Sequence, residues 1–298
     1  MRLLIVANSE KPRVKPALAD MLPWLKKRVE VVDVVDENAN AANVHADAVL
    51  VLGGDGTLLT AARKLGELRI PLLGINYGRL GFLAGFTPAQ FQTHFDAFLA
   101  GKLPVRPRQT IEVSLIPADT LCCSVDEAEV RQARRQVTTA LNDAVVSAGP
   151  PHHMIELEIG VDGDRGIRYF GDGVIVATSS GSTAYNVSAG GPIISPTVEA
   201  LCITPICPHS LSFRPAVVSL NSVVVIAAVR VNTGTTLLCD GDQPTSLAAG
   251  ERIVIRRGAN PVLLVENPET REWRHLAEKL NWATGPAYNH EGGKEGKL

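Results

Sequence analysis

The sequence predicts two unlike halves: an α/β N-terminal domain with a parallel sheet, then a β-rich, sandwich-like C-terminal domain. Three observations carry this expectation. Over residues 1–104 short apolar runs alternate with helical stretches, the pattern of a parallel sheet covered by helices on both faces. After Pro104 and Pro107 the apolar residues shift to period two, as in Ile111-Glu112-Val113-Ser114-Leu115 and Ile155-Glu156-Leu157-Glu158-Ile159, which suits strands with one buried face. The chain has 298 residues, enough for about two domains.

Residues 3–7 read as a strand and 15–28 as a helix whose ends are blurred by Pro12, Pro16 and Pro23. Further strands fall at 29–35, 46–52 and 70–75. Thr87-Pro88-Ala89-Gln90 opens another helix, with a hydroxyl cap, Pro at the first helical position and a capping-box Gln; Gly101 stops it. In the second half, Val161-Asp162-Gly163-Asp164 turns the strand at 155–159 into one at 167–170. More strands are expected at 174–177, 216–220, 223–228, 237–239 and 253–256, and residues 119–135 read as a loop with a turn-like insertion. The expected division is 1–104, then 105–264, with a Gly-, Lys- and Glu-rich disordered tail over 285–298.

Hydrophobic residues make up 45% of the chain and charged ones 20%, enough apolar content to fill a core. A net charge of −2 gives no electrostatic case for nucleic acid or an anionic membrane as partner. Met1-Arg2 runs straight into the first strand, with no signal peptide, and no apolar run reaches the length of a membrane span. A cytoplasmic protein is expected. The five cysteines, Cys122, Cys123, Cys202, Cys207 and Cys239, lack C-x-x-C spacing; they read as reduced thiols rather than a metal site.

The stretch with the most chemistry runs from Ala48. Its apolar strand leads into Gly53-Gly54-Asp55-Gly56-Thr57 and then into Leu58-Leu59-Thr60-Ala61-Ala62-Arg63, which reads as helix. Glycines let a backbone approach an anion, and the free N–H groups of a helix start point at it. Gly53, Gly54, Gly56 and Thr57 are therefore the candidate phosphate loop. No Lys follows, so this is not a Walker A loop, and the spacing is not G-x-G-x-x-G. Asp55 is out of place beside a phosphate unless it holds a metal or accepts a proton from an attacking hydroxyl. Gly-Gly-Asp-Gly is also a plain turn sequence.

Two further stretches look chemical. Asn142-Asp143, between apolar residues, is a turn or a pair offering an amide to a base edge and a carboxylate to a ribose hydroxyl. Phe170-Gly171-Asp172-Gly173 opens a buried strand, followed by the hydroxyl-rich Thr178-Ser179-Ser180-Gly181-Ser182-Thr183-Ala184-Tyr185 and a helix expected from near Ser182. Either this is a capped helix with a buried Tyr, or its small residues admit a ligand on which Tyr185 stacks.

Taken together, GGDGTLL, GINYGRLGFLAGF, LNDAVV, DGVIVATSSGSTAYNVSAGGPI and PICPHSLSFRP resemble the NAD kinase family in sequence and order, to about residue 280. GGDGT alone is shared with diacylglycerol- and sphingosine-type lipid kinases; the block around Gly181 to Tyr185 is far more specific. The resemblance implies an NAD kinase / diacylglycerol kinase-like fold in which the chain end, about 265–284, packs back on the first domain. It implies transfer of the γ-phosphoryl of ATP, or of polyphosphate, to the 2′-hydroxyl of the NAD adenosine ribose, with Mg²⁺, in a homodimer or homotetramer. On this resemblance Asp55 contacts the 2′-hydroxyl as the catalytic base, and Gly56 is expected beside it among the NAD-binding residues. Asn142, Asp143, Asp172, Thr183, Ala184, Tyr185 and Ser188 match dinucleotide-binding positions, and His153 is a candidate cationic contact.

The chain departs from the family pattern at Thr60, where many members carry a basic residue, and at Phe170 and Asp242. Arg63 and Arg79 are the nearest replacement cations. Two other readings compete: a diacylglycerol-type lipid kinase, which would leave the Gly181 to Tyr185 block unexplained, and a dinucleotide-binding sensor that has lost catalysis. Asp55→Asn is expected to leave folding and NAD binding nearly intact and to lower kcat about 10²-fold or more.

Overall fold

The computed structural model describes residues 1–37, 44–65, 68–78, 81–118, 126–164 and 166–280. Cys122, Cys123, Arg79 and the expected tail at 285–298 lie outside them. Among the described residues no helix is long and apolar enough to cross a membrane.

Strands β1 (Arg2–Ala7), β2 (Glu30–Asp36), β3 (Ala48–Gly53) and β4 (Leu72–Asn76) pair in parallel in the order β2-β1-β3-β4. β1, β3 and β4 are buried on both faces, which is why β3 reads as an unbroken apolar run, while the edge strand β2 is partly exposed. Alternate residues divide between two cores. Leu3, Ile5, Leu50 and Leu52 pack with helix α1 (Val14–Lys26) and with Phe91, Phe95 and Phe98 of α3 (Pro88–Leu99). Leu4, Val6, Val49 and Val51 pack with Leu58, Ala61, Ala62 and Leu65 of α2 (Asp55–Leu65). The capping box of Thr87 and Gln90 forms as expected.

This sheet takes two more strands from beyond the expected boundary at 104. β5 (Val105–Arg108) joins it, and the late strand β18 (Val262–Val265) lies between β4 and β5, parallel to the first and antiparallel to the second. The chain thus returns to the first sheet after the β-rich region, and α6 (Glu272–Leu280) follows it. Short runs such as these carry no period that assigns them to a sheet; only pairing partners do.

Between them, two antiparallel six-stranded sheets face each other. One contains β6 (Ile111–Ile116), β7 (Gln136–Ala140), β9 (Ile155–Val161), β10 (Ile167–Gly171), β14 (Val224–Arg230) and β17 (Arg252–Arg257). The other contains β8 (Asp143–Ser147), β11 (Gly173–Thr178), β12 (Ala200–Ile206), β13 (Ala216–Ser219), β15 (Thr236–Cys239) and β16 (Thr245–Ser246). Their inner faces share one core, with Val113, Leu157 and Ile226 from one sheet meeting Val146, Val176 and Leu201 from the other, so the sandwich-like expectation holds.

Two local expectations fail. Within 119–135, residues 127–133 form a helix, α4 (Glu127–Ala133), capped by the Asp126 carboxylate on the N–H groups of Ala128 and Glu129; its charged face hid it among polar residues. The helix expected from Ser182 is only a 3-10 turn, Ser180–Thr183, and a four-residue helix, α5 (Tyr185–Ser188). Its hydroxyls turn inward instead: Thr178 donates to the Leu141 carbonyl and Ser182 to those of Ser179 and Ile194.

Candidate active site

The glycine stretch lies where expected, at the carboxyl end of β3 and the start of α2, the edge where α/β sheets bind ligands. Asp55 occupies the first turn of α2, and Arg63 and Lys64 the last; both placements suit the helix dipole. The Asp55 carboxylate is already engaged. It accepts N–H bonds from Phe82 (2.7 Å), Leu83 (3.2 Å) and Ala84 (2.9 Å), and so pins the strand-like segment after β4. Gly81 packs directly on it, and a Cβ there would overlap the carboxylate. The ring Nε2 of His275 on α6 lies 2.8 Å from the Gly81 carbonyl oxygen, holding the same segment from the other side.

A cavity of about 290 Å³ opens beside the loop, lined by Gly56, Thr57, Thr60, Lys11, Glu37 and Arg63, and on its far wall by Asp240, Gly241 and Asp242. It therefore lies between the two halves. Arg63 ion-pairs with Asp242 across it at 2.9 Å and is not a free replacement for a base at position 60. Lys11 is the better placed cation. Its Nζ lies 2.9 Å from where a Cβ on Gly54 would stand. Sequence reading missed Lys11 because it lies between β1 and α1, remote in the chain from the loop it faces.

Asn142 and Asp143 fall at the β7–β8 connection. The turn is gripped from two sides. The Asp240 carboxylate accepts N–H bonds from Leu141 (2.8 Å), Asn142 (2.7 Å) and Asp143 (3.2 Å), and Asp240 N–H donates back to the Asp143 carbonyl. Behind it, Thr178 N–H donates to the Asn142 carbonyl, and Gly181 approaches so closely that a Cβ would overlap the Asn142 backbone. Burial raises the Asp143 carboxyl to about 7, assisted by the charge of Asp240 and opposed by the Tyr185 N–H it accepts. Burial also raises Asp240, against its three N–H donors.

Asn142, Asp143, Ala184 and Tyr185 line a second cavity, of about 420 Å³, with Asp240 and Gly241. Tyr185 is 47% exposed rather than buried, free to stack. Thr183 instead borders a third cavity of about 190 Å³ with Phe82, Leu83 and His275. Ser188 is exposed beside this group, at the end of α5. Two expected residues are not brought in. Asp172 precedes the other end of β11: Asp143 pairs with Ala177, whereas Asp172 lies beyond the Gly173–Ser147 pair, roughly 15 Å away at strand rise. His153 is exposed in the loop before β9 and lines none of these cavities. Asp240 is the main omission of sequence reading; its only signal was an Asp-Gly-Asp turn after an apolar strand.

A carboxylate in a glycine loop, facing a β-sandwich across a cleft lined by further acids, defines a two-domain phosphotransferase. The comparisons name it more narrowly. Residues 6–103 match the family model for the ATP-NAD kinase N-terminal domain, and residues 141–267 match that for the C-terminal domain. An NAD kinase of Desulforamulus reducens is 36% identical over 94% of this chain and 98% of its own. One of Rhodopirellula baltica is 33% identical over 95% and 87%. Among solved structures, yeast NADH kinase complexed with NADH superposes with a TM-score of 0.83 at 26% identity, covering 96% of this chain and 88% of that one. An Archaeoglobus fulgidus NAD kinase in complex with ATP gives 0.72 at 28% identity, covering 94% and 99%. The chain belongs to the NAD kinase family. It is an enzyme with that family's activity, phosphoryl transfer to NAD in the formation of NADP.

Proposed function

We propose that the chain transfers the γ-phosphoryl of ATP to the 2′-hydroxyl of the NAD adenosine ribose, with Asp55 as the acceptor of the hydroxyl proton. The observation that carries this reading is the cleft itself: one cavity joins Gly56 and Thr57 to Asp240, and the next joins Asp240 to Asn142, Asp143 and Tyr185. A phosphate chain over the glycine loop and a dinucleotide against Asn142 and Asp143 are then neighbours. Phosphoryl transfer asks mainly for that positioning and for charge neutralisation.

Lys11 and the start of α2 supply positive potential to the donor phosphates. The archaeal relative was solved with ATP, which supports ATP over polyphosphate here. Three of roughly four lone-pair positions on the Asp55 carboxylate are taken by amides, which leaves one for a substrate hydroxyl. Among the described residues no group of three or more His, Cys, Asp or Glu gathers to hold a metal. Mg²⁺ fits as the partner of the nucleotide, held by phosphates, water and one or two carboxylates, with Glu37 on the cavity wall. When bound it would neutralise charge on the transferring group.

We also assign residues 1–108 and 262–280 to one domain and 109–261 to the other, from the sheets they join. The diacylglycerol kinase-like fold label, a cytoplasmic location and a homodimer or homotetramer belong with this proposal, on the resemblance alone. The test is NADP⁺ formation from NAD⁺, Mg²⁺ and ATP, read by an NADP-specific dehydrogenase, with polyphosphate as parallel donor. Turnover that needs ATP and is lost in Asp55→Asn bears the reading out. NAD binding without turnover favours a sensor.

A further inference from the structure

Asp240 belongs to three cavities at once: the one beside the glycine loop, the one lined by Asn142 and Asp143, and a third of about 300 Å³ between α2 and β6. Its backbone is in the left-handed region, with φ +52°, uncommon for a residue with a side chain. That conformation tucks its carboxylate under the 141–143 turn, where it meets three consecutive N–H groups. The carboxylate is thereby bound to the turn that carries Asn142 and Asp143.

We propose that Asp240 is the positioning residue of the dinucleotide site: it shapes the turn that presents Asn142 and Asp143, and its charge sets the protonation state in which Asp143 meets the ribose. The inference rests on the assignment of Asn142 and Asp143 to the dinucleotide. The charge of Asp240 disfavours a charge on Asp143, and Asp240 is the one with three donors on it. Asp143, with the single N–H of Tyr185, is the one left to hold a proton. The other ionisable groups near the pair are Arg63 and Asp242, which pair with each other, the Tyr185 phenol, and the Cys239 thiol, which burial pushes up to about 12 and so keeps neutral; Lys11 and Glu37, and Lys64 and Glu112, share Asp240's two other cavities. Asp143 as carboxylate accepts a ribose hydroxyl; protonated, it loses that charge-assisted bond.

The experiment is KM for NAD⁺ against pH in the wild type, Asp240→Asn, Asp240→Ala and Asp143→Asn, with thermal unfolding of each. In the wild type KM should fall as pH rises through about 7. Asp240→Asn should raise KM for NAD⁺ roughly tenfold, and Asp240→Ala more so. In both, the inflection should move to lower pH. A purely structural loss would raise KM without moving it, and would overturn the electrostatic role. A wild-type profile flat between pH 6 and 8 would overturn it with no variant needed. Unchanged KM in folded Asp240→Asn, beside a raised KM in Asp143→Asn, removes the positioning role and leaves the NAD site standing. Unchanged KM in Asp143→Asn removes the site assignment and the inference with it.

Discussion

Asp55 in the first half and Asp240 in the second each accept three successive backbone N–H bonds, yet their surroundings differ. Asp55 starts an eleven-residue helix, packs its carboxylate on Gly81, and is followed by Gly56 and Thr57 on the cavity wall. Asp240 lies at the tip of a β-connection beside a second acid, and burial outweighs its amide bonds. The same hydrogen-bond pattern thus serves two ends. At Asp55 it leaves a carboxylate at the glycine loop with room for one more donor. At Asp240 it consumes the carboxylate in building the turn beneath a neighbour. Hydrogen-bond count alone does not tell a reacting acid from a supporting one; the dielectric and the nearest charge do.

The largest expected effect tests the Asp55 side. Asp55→Asn should lower kcat about 10²-fold or more. The structure changes the second half of the expectation stated from sequence. An Asn amide would turn an N–H₂ toward at least one of the N–H groups of Phe82, Leu83 and Ala84, so about 1–3 kcal/mol of stability should be lost as well. Denaturant unfolding beside the kinetics separates the two losses, and near-normal turnover would end the base assignment.

Gly81→Ala should come next. Its Cβ would displace the Asp55 carboxylate, so the kcat loss should approach that of Asp55→Asn, and the double variant should cost little more than either single change. Additive losses would mean that Gly81 and Asp55 act independently. Lys11→Met, which keeps the stem and removes the charge, should raise KM for ATP roughly tenfold and leave KM for NAD⁺ unchanged. An unaltered KM for ATP would take Lys11 out of the donor site.

On the other side of the comparison, a raised carboxyl makes stability depend on pH. Burial pushes the Asp143 carboxyl from its ordinary 3.8 up to about 7 in the folded chain. Its favourable share is fully present below about pH 4 and is lost as pH rises through about 7, because the folded chain binds the extra proton. Asp143→Asn should therefore melt increasingly above the wild type from pH 5 to pH 8, and a constant difference would contradict the shift. The smallest effect is expected for Arg63→Ala. Its partner Asp242 is half-exposed, so the loss of stability should stay within about 1 kcal/mol.

Alternation of apolar runs with helical stretches, and then a change to period two, was enough to read both sheet types from the chain, because periodicity reports which faces are buried. Gly-Gly-Asp-Gly after an unbroken apolar run placed the strand-to-helix turn that holds Asp55 for the same local reason. Asn142, Asp143 and Tyr185 were legible as a group through resemblance. What the chain alone could not give are the contacts that close over long separations. β18 enters the first sheet 192 residues after the β4 residue it pairs with, Leu72 to Leu264. Asp240 reaches the 141–143 turn across 97 to 99 positions, and His275 meets Gly81 across 194. Polar side chains such as these have no period of their own. Their partners are chosen by where buried backbone N–H and carbonyl groups must be satisfied, and only the folded packing decides that.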